Sequence, residues 1–336
     1  MHPIGPVSLK EIGVARRRIA GSAICTPLVR LDLPLVDDGG AEIWLKLECL
    51  QPIGSFKIRG AANAIALADP AALERGVYTA SAGNMAQGVA FAARRLGVPC
   101  RVIVPDTAPQ AKLDAIEALG GVLVPLPFDQ WWRAIREHGH PDESGFFVHP
   151  VSDPAVIAGN GTVGLEILEQ LPDVDAIVVP YGGGGLSVGV ASAIRARRPE
   201  VRVYASEVET AAPYAASLEA GRAVSVDRTP TFVDGIGGGS VLDEMWPLAS
   251  TLLDGSLVMS IEEICDAIRL LAARAHVIAE GAGGSAVAGA LELACREAAA
   301  ENEGLPAARR IVAVVSGGNI DTHVLRAILA GDNPGG

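Results

Sequence analysis

Short apolar runs alternate along this chain with segments whose apolar residues recur at helical spacing. The apolar runs predict strands at 44–48, 77–80, 100–104, 122–124, 176–180, 201–205 and 311–315. The helical segments predict helices at 89–96, 112–119, 187–198, 261–277 and 284–300. Because strands and helices alternate repeatedly, the pattern favours an α/β fold with parallel sheets and right-handed crossovers.

The alternation weakens between Pro125 and Pro150, a segment that contains Trp131 and Trp132. The chain changes there from small strand–helix units to a glycine-rich second half. We therefore predict irregular structure in this segment and a seam between two lobes. Packing at that seam is the favoured interpretation of the tryptophan pair, and a lid over a bulky substrate is the alternative.

Composition narrows the class of protein. The chain has 336 residues, of which 49% are hydrophobic and 4% aromatic, and this suits parallel strands under close-packed helices. A formal charge of -12 argues against nucleic acid and against anionic membranes as partners. Five scattered cysteines without C-x-x-C spacing, and no apolar run of membrane-spanning length, predict a cytoplasmic protein.

Lys57 lies in the segment Ser55-Phe56-Lys57-Ile58-Arg59-Gly60, at the start of a helix-like apolar run. Most lysines are simply exposed on the surface. A helix N-terminus, however, disfavours a protonated amine and so favours the neutral nucleophile. A neutral lysine amine can form a Schiff base with an aldehyde.

Four consecutive glycines, Gly182, Gly183, Gly184 and Gly185, and then Leu186 follow the strand at 176–180 and precede a helix. Backbone N–H groups in such a loop can surround a phosphate, although an ordinary turn is the alternative. The run matches neither the Walker A pattern nor a dinucleotide fingerprint. An aldehyde and a phosphate on one small molecule describe pyridoxal phosphate, which stabilises carbanions at the Cα of an amino acid.

Two further segments follow strands at the edge where α/β sheets bind ligands. Ser81-Ala82-Gly83-Asn84 opens a helix, where N–H groups and polar side chains can hold a carboxylate, or where Ser81 can simply cap the helix. Ser316-Gly317-Gly318-Asn319 follows the strand at 311–315 and offers a hydroxyl at its end. We expect these loops to meet in one crevice.

Together the motifs Ser-Phe-Lys-Ile-Arg-Gly, Ser-Ala-Gly-Asn-x-x-Gln-Gly, Gly-Gly-Gly-Gly-Leu and Ser-Gly-Gly-Asn resemble fold type II pyridoxal-phosphate enzymes, particularly serine/threonine dehydratases and serine racemases. The resemblance extends from Thr26 to about Asp321. It implies two lobes, each an open, mostly parallel twisted sheet flanked by helices. Residues 1–70 and 148–330 would form a large cofactor-binding domain, and residues 71–147 a small mobile substrate-side domain. It also implies a homodimer.

The resemblance assigns roles to residues that match the motifs. Lys57 and Ser81 become the catalytic candidates, with Lys57 attached to the cofactor and acting on the Cα proton. The cofactor-binding candidates are Phe56, Lys57, Asn84, Gly182, Gly183, Gly184, Gly185, Leu186 and Ser316. The substrate-binding candidates are Ser81, Ala82, Gly83, Asn84 and Met85. Glu280, in a loop that opens a helix, is either near the cofactor or a helix-start acid.

Two departures from the family pattern affect the expected reaction. Racemases of this group carry a second serine where this chain has Ala82, and that serine exchanges a proton on the opposite face of Cα. Family members often have His where this chain has Met85, which cannot usefully hydrogen-bond a carboxylate. One-face elimination is therefore favoured over racemisation, and the pocket wall is expected to be more apolar.

A cation is the last expectation from the resemblance. Some family members bind a divalent cation through acidic residues after a strand, and Glu207 fits the first ligand position, with Glu209 close by. The later acidic position falls on Pro213. A divalent or monovalent cation at Glu207 is one hypothesis, and a solvated acidic loop is the alternative.

The motifs predict a pyridoxal-phosphate lyase that dehydrates and deaminates a small 3-hydroxy amino acid, L-threonine or L-serine, to a 2-oxo acid and ammonia. One alternative is a bulkier substrate such as 3-phenylserine or 3-hydroxyaspartate, suggested by Met85 and Trp131-Trp132. A second is serine racemisation. Two other classes, a non-catalytic ligand sensor and an NAD-dependent oxidoreductase, are disfavoured by the presence of Lys57 and by the missing ribose-binding acid.

Overall fold

A computed structural model describes residues 4–32, 41–302 and 307–335. The helices are α1 (Leu9–Ile19), α2 (Lys57–Leu67), α3 (Pro70–Leu73), α4 (Asn84–Leu96), α5 (Gln110–Ala118), α6 (Phe128–Arg136), α7 (Pro154–Gln170), α8 (Gly185–Arg197), α9 (Pro213–Ala220), α10 (Trp246–Leu252), α11 (Ile261–Leu270), α12 (Gly281–Asn302) and α13 (Thr322–Ala330). A 3-10 turn covers Glu48–Leu50, and a π-helical turn, Leu271–Ala275, extends α11.

The strands form two sheets. They are β1 (Leu28–Arg30), β2 (Glu42–Lys46), β3 (Val77–Ala80), β4 (Cys100–Pro105), β5 (Gly121–Leu126), β6 (Phe146–Phe147), β7 (Ala176–Pro180), β8 (Arg202–Val208), β9 (Gly255–Met259) and β10 (Arg310–Val314). The larger sheet has the order β1-β2-β10-β7-β8-β9, and the smaller has the order β5-β4-β3-β6. Only the β1–β2 pair is antiparallel among the described strands. The predicted α/β class with two mostly parallel sheets is confirmed.

The larger sheet is buried on both faces, which explains its continuous apolar strands. Successive residues of β7 alternate between two cores: Ile177 and Val179 pack with α1, α7 and α8, whereas Ala176 and Val178 pack with α11 and α12. A third core fills the space between the smaller sheet and helices α2 and α4. None of the helices in the described ranges is long and apolar enough to cross a bilayer.

Three sequence expectations differ from the structure. The segment 125–150 was expected to be irregular, but it contains α6, which packs Trp131 and Trp132 against the core around Tyr78 and Ile103. Helix α7 was not predicted, because it is buried on nearly every side and therefore lacks an amphipathic period. The strand predicted at 44–48 lies instead at Glu42–Lys46, and Glu48 belongs to the 3-10 turn.

Candidate active site

Lys57 is the first residue of α2, at the carboxyl edge of the larger sheet. The chain enters this helix beside β10, where Phe56 N–H donates to the carbonyl of Ser316 at 3.0 Å. The Lys57 amine donates to the carbonyl of Pro150 at 3.0 Å and lies 5.2 Å from the Phe56 ring centroid. Burial lowers the pKa of Lys57 to about 8, against the opposing effect of Glu280. A substantial neutral fraction of this amine is therefore present near neutral pH.

The glycine loop connects β7 to α8 and has the geometry of an anion site. Among the described residues, none of the N–H groups from Gly182 to Leu186 donates to a protein acceptor. Added Cβ atoms would come within 2.5 Å of the Val151 side chain at Gly183 and within 2.9 Å of the Val151 carbonyl at Gly185. Gly184 has φ +92°, in the left-handed region. Only glycines allow the loop to lie this close to Val151.

Asn84 lies at the start of α4, which packs on the smaller sheet, and it hydrogen-bonds two residues in loops beside the larger sheet. Its Nδ2 donates to both carboxylate oxygens of Glu280 at 2.9 Å, and its Oδ1 accepts from Asn319 at 2.7 Å. Burial raises the pKa of Glu280 to about 7, and the Asn84 hydrogen bond opposes that shift. Both Glu280 and Asn319 were left out of the predicted site. Their motifs, Ala-Glu-Gly-Ala-Gly and Ser-Gly-Gly-Asn, were visible in the sequence but gave no spacing that linked them to Asn84.

The N-terminus of α4 supplies further donors. The Ser81 hydroxyl accepts from the N–H of Gly83 at 3.2 Å. Within the described residues, the N–H groups of Ala82, Asn84 and Met85 have no protein acceptor. The Met85 side chain is only 2% exposed and belongs to the core between α4 and the smaller sheet. Its contribution to a pocket would therefore come from its backbone, and the expectation of a Met85 side-chain wall finds no support.

Ser316 lies two residues after the end of β10, and its carbonyl accepts the N–H of Phe56, the residue before Lys57. Its side chain is buried, and the next residue, Gly317, forms an isolated bridge with Ser55. A Cβ at Gly317 would lie 2.5 Å from a Glu280 oxygen. Through these contacts the structure brings Lys57, Ser316 and the Asn84–Glu280 pair to one crevice.

Glu207 lies apart from these groups, at the end of β8. Its carboxylate is fully buried and accepts hydrogen bonds from the N–H groups of Tyr214 and Ala215 and from the Ser256 hydroxyl. Glu209 accepts from the N–H of Ile261. Burial raises the pKa of Glu207. These donors give Glu207 a structural role at the start of α9.

The donor set of the crevice fits pyridoxal phosphate. One turn connects the Lys57 amine, which can attack an aldehyde, to the glycine loop with its five free N–H groups. Pro150 in this turn contacts Lys57, and the next residue, Val151, contacts the loop. No acidic side chain belongs to the loop itself, so a dianion meets no like charge there.

Comparisons with known proteins agree with this fit. The family described as "Pyridoxal-phosphate dependent enzyme" matches residues 19–317. The L-threonine ammonia-lyase of Thermotoga maritima is 41% identical over 328 residues, covering 96% of this chain and 78% of that protein. Human serine racemase is 36% identical over 320 residues, covering 94% of this chain and 92% of that protein. The structure of maize serine racemase matches with a TM-score of 0.87 and 32% identity, covering 97% of this chain and 98% of that one.

Proposed function

The chain belongs to the family of pyridoxal-phosphate dependent enzymes, and from this premise we propose that it is an ammonia-lyase converting L-threonine or L-serine to a 2-oxo acid and ammonia. The observation that carries the proposal is the partly buried Lys57 amine, which one turn connects to a glycine loop with free N–H groups. The similarity to a threonine ammonia-lyase over nearly the whole chain supports the reaction.

The cofactor would be held by residues on both sides of the crevice. The N–H groups of Gly182, Gly183, Gly184, Gly185 and Leu186 would bind its phosphate, and Phe56 would pack against its ring. Asn84 would bind the 3-hydroxyl, and Ser316 the ring nitrogen. When bound, pyridoxal phosphate withdraws electrons from the Cα of the attached amino acid and so acidifies its proton.

Lys57 would act as the base. A neutral amine with a pKa of about 8 accepts a proton near neutral pH, and release from the cofactor on substrate binding would free Lys57 to take the Cα proton. The hydroxyl at Cβ would then leave as water, taking the proton that Lys57 removed from Cα, and hydrolysis of the released enamine would give the 2-oxo acid and ammonia. Ser81 and the free N–H groups at the start of α4 would hold the substrate carboxylate and fix Cα in reach of the lysine.

Ala82 favours elimination over racemisation. Racemisation needs an acid on the face of Cα opposite Lys57, and the methyl group of Ala82 cannot supply a proton. The bulkier-substrate alternative loses support, because Met85 is buried in the core and the two tryptophans pack against the smaller sheet.

A substrate panel tests the reaction. Holoenzyme would be incubated with L-threonine, L-serine, L-threo-3-phenylserine, 3-hydroxyaspartate and D-serine, and both 2-oxo acid release and the chirality of the remaining amino acid would be measured. We expect turnover of threonine or serine without D-isomer. Lys57→Ala should abolish it, whereas Lys10→Ala, on the exposed face of α1, should not. Turnover by Lys57→Ala, or appearance of D-isomer, would overturn the assignment.

We also keep four finer predictions for this chain. Residues 71–147 would move as a small substrate-side domain relative to 1–70 and 148–330, which is consistent with β3–β6 forming their own sheet. The enzyme would be a cytoplasmic homodimer, and sedimentation of the purified protein would test the dimer. A cation bound at Glu207 would share a carboxylate that already accepts three hydrogen bonds. Glu280, with its hydrogen bonds to Asn84, would orient the group that binds the cofactor.

A further inference from the structure

The turn 149–152 connects β6 to α7 and is closed by its own histidine. The Nδ1 atom of His149 accepts hydrogen bonds from the N–H of Val151 at 3.1 Å and from the N–H of Ser152 at 2.7 Å. The ring thus satisfies two successive backbone donors of its own turn, as an Asn or Asp side chain does in an Asx-turn. His149 is only 2% exposed, and the hydrogen bond from the Ser152 N–H is buried as well, so solvent does not replace the ring there.

The partners of His149 define its tautomer. Nδ1 faces two N–H donors and therefore carries no proton, whereas Nε2 lies 3.0 Å from the carbonyl of Ile135 and therefore carries one. Burial, with a further contribution from His138, lowers the pKa of His149 to about 3. The ring is thus a fixed neutral connector between α6 and the turn.

The same turn touches both halves of the candidate active site. The carbonyl of Pro150 accepts the hydrogen bond from the Lys57 amine. The next residue, Val151, packs against Gly183 and Gly185 of the phosphate loop at distances that exclude any side chain there. A change in the turn would therefore move the acceptor of the amine and the floor of the loop together.

We propose that His149 is a positioning residue, whose ring holds the Pro150 carbonyl where it receives the Lys57 amine. The inference rests on the proposed role of Lys57. His149 contacts neither substrate nor cofactor in this arrangement and acts through the turn. Because the turn also covers the amine, it maintains the desolvation that keeps Lys57 reactive.

A second layer supports the ring. His138 stacks on His149 with ring centroids 4.2 Å apart, and its Nε2 lies 3.4 Å from Glu244. The Ser152 hydroxyl donates to Glu244 at 2.9 Å. His138, His149 and Glu244 lie close enough to ligate a metal, but both nitrogens of His149 already have protein partners. The cluster therefore supports the turn. The titratable groups that act on His149 are His138, Glu244 and Lys57, and the one that acts on Lys57 is Glu280.

Two substitutions separate the two contacts of the ring. The Oδ1 of His149→Asn takes the position of Nδ1 and can still accept from the turn, but the link to Ile135 is lost. The Nε2 of His149→Gln reaches the position of the imidazole Nε2 and can still donate to Ile135, but the turn loses its acceptor. If His149 positions Lys57 through the turn, His149→Asn should preserve the reactivity of the Lys57 amine, and His149→Gln should not.

The reactivity of Lys57 in the cofactor-free protein provides the measurement. Apoprotein would be treated with pyridoxal, which lacks the phosphate, and trapped with borohydride, and labelling of Lys57 would be followed by peptide mapping from pH 6 to pH 10. Wild type and His149→Asn should label with a midpoint near 8. In His149→Gln, water would reach the amine, so the midpoint should rise by about one unit and labelling at pH 7 should fall about tenfold.

Circular dichroism spectra and melting temperatures of the two His149 variants would first be compared with those of the wild type to establish that both variants fold. His140→Gln, another histidine that precedes the turn, is the control. Equal profiles for Asn and Gln, or loss of labelling in Asn alone, would overturn the positioning role while leaving the proposed function intact. Labelling of exposed Lys10 in the wild type without labelling of Lys57 would overturn both. Because no substrate is present, the identity of the substrate does not affect the result.

Discussion

Arg59 and Glu48 form a bidentate ion pair in the interior of the larger lobe, with side chains 1% and 0% exposed. The other side of the guanidinium binds Glu166 in the same way, and Glu166 in turn binds the buried amine of Lys46 at 2.6 Å. Two cations thus balance two carboxylates. Because Arg59 lies in the first turn of α2, the network anchors the helix that begins at Lys57.

Removing Arg59 should be strongly destabilising. Arg59→Met leaves two buried carboxylates without their shared cation, and breaking a buried pair in this way costs about 3–5 kcal/mol. Urea unfolding of the apoprotein gives the measurement. Arg296→Met provides the control, because its i,i+4 pair with Glu292 is exposed and such pairs contribute about 0.3–0.5 kcal/mol. Similar losses for both variants would show that the buried network is not a major source of stability.

Gly183→Ala should weaken cofactor binding. The new methyl group would lie 2.5 Å from the Val151 side chain, so the loop must shift. The shift would turn the N–H groups of the loop away from the phosphate of the cofactor. We expect the Kd for pyridoxal phosphate, followed by visible absorbance, to rise at least about tenfold, which corresponds to about 1.4 kcal/mol. Gly13→Ala, inside α1 with no atom within 4 Å, should leave the Kd unchanged and raise stability by about 0.5–1 kcal/mol. An unchanged Kd for Gly183→Ala would contradict the assignment of the loop.

Seven of the ten described strands had a predicted counterpart, whereas β1, β6, β9 and several helices did not. The predicted bounds of β3 and β7 match the structure, because a buried parallel strand is a short apolar run between turn residues. Helix α7 is buried along most of its length, and its buried residues include polar Asn160, Thr162 and Glu166, so its sequence carries no helical period. Helix α6 was missed for a different reason: its aromatic residues suggested packing between lobes, and the weaker alternation between Pro125 and Pro150 suggested irregular structure.

The site shows the same division between local and distant signals. Lys57 and the glycine loop were found because each lies at a strand or helix end with local meaning in the sequence. The turn at His149 was not found, because its effect depends on Ile135 and Lys57, which are 14 residues before it and far from it in the chain. Residues that meet from distant parts of the chain have no fixed separation in the sequence, so a single sequence does not show that they are in contact.

Removal of cations should have little effect on this enzyme. The Glu207 carboxylate already accepts three hydrogen bonds, and among the described residues it belongs to no cluster of three metal-ligating side chains, whereas a hard cation takes six or more oxygen ligands. We expect a chelator to leave the melting temperature and the turnover of the holoenzyme unchanged. Glu207→Ala, in contrast, should lower the melting temperature, because two N–H groups at the start of α9 lose their acceptor. A chelator-induced loss restored by added cation would instead support the metal hypothesis.

Glu280 should make the stability of the apoprotein depend on pH. Burial raises its pKa from 4.5 to about 7, so the folded protein binds this proton more tightly than the unfolded chain does. The stabilisation is therefore fully present below about pH 4.5 and is lost as the pH rises through 7. Relative to Glu280→Gln, which stays neutral and can still accept from Asn84, the wild type should lose about 1–2 kcal/mol of unfolding free energy between pH 4.5 and 8, after allowance for solvent screening.

Urea unfolding of both proteins across this range isolates the contribution of Glu280, since all other titrating groups are shared. The exposed Glu292 supplies the matched control: the difference between wild type and Glu292→Gln should remain nearly constant with pH. Parallel curves for wild type and Glu280→Gln would mean that folding does not shift the pKa of the Glu280 carboxyl, so that it is ionised at neutral pH. In that case Asn84 would face a permanent negative charge, and a negatively charged 3-oxygen of the cofactor would be disfavoured at that position.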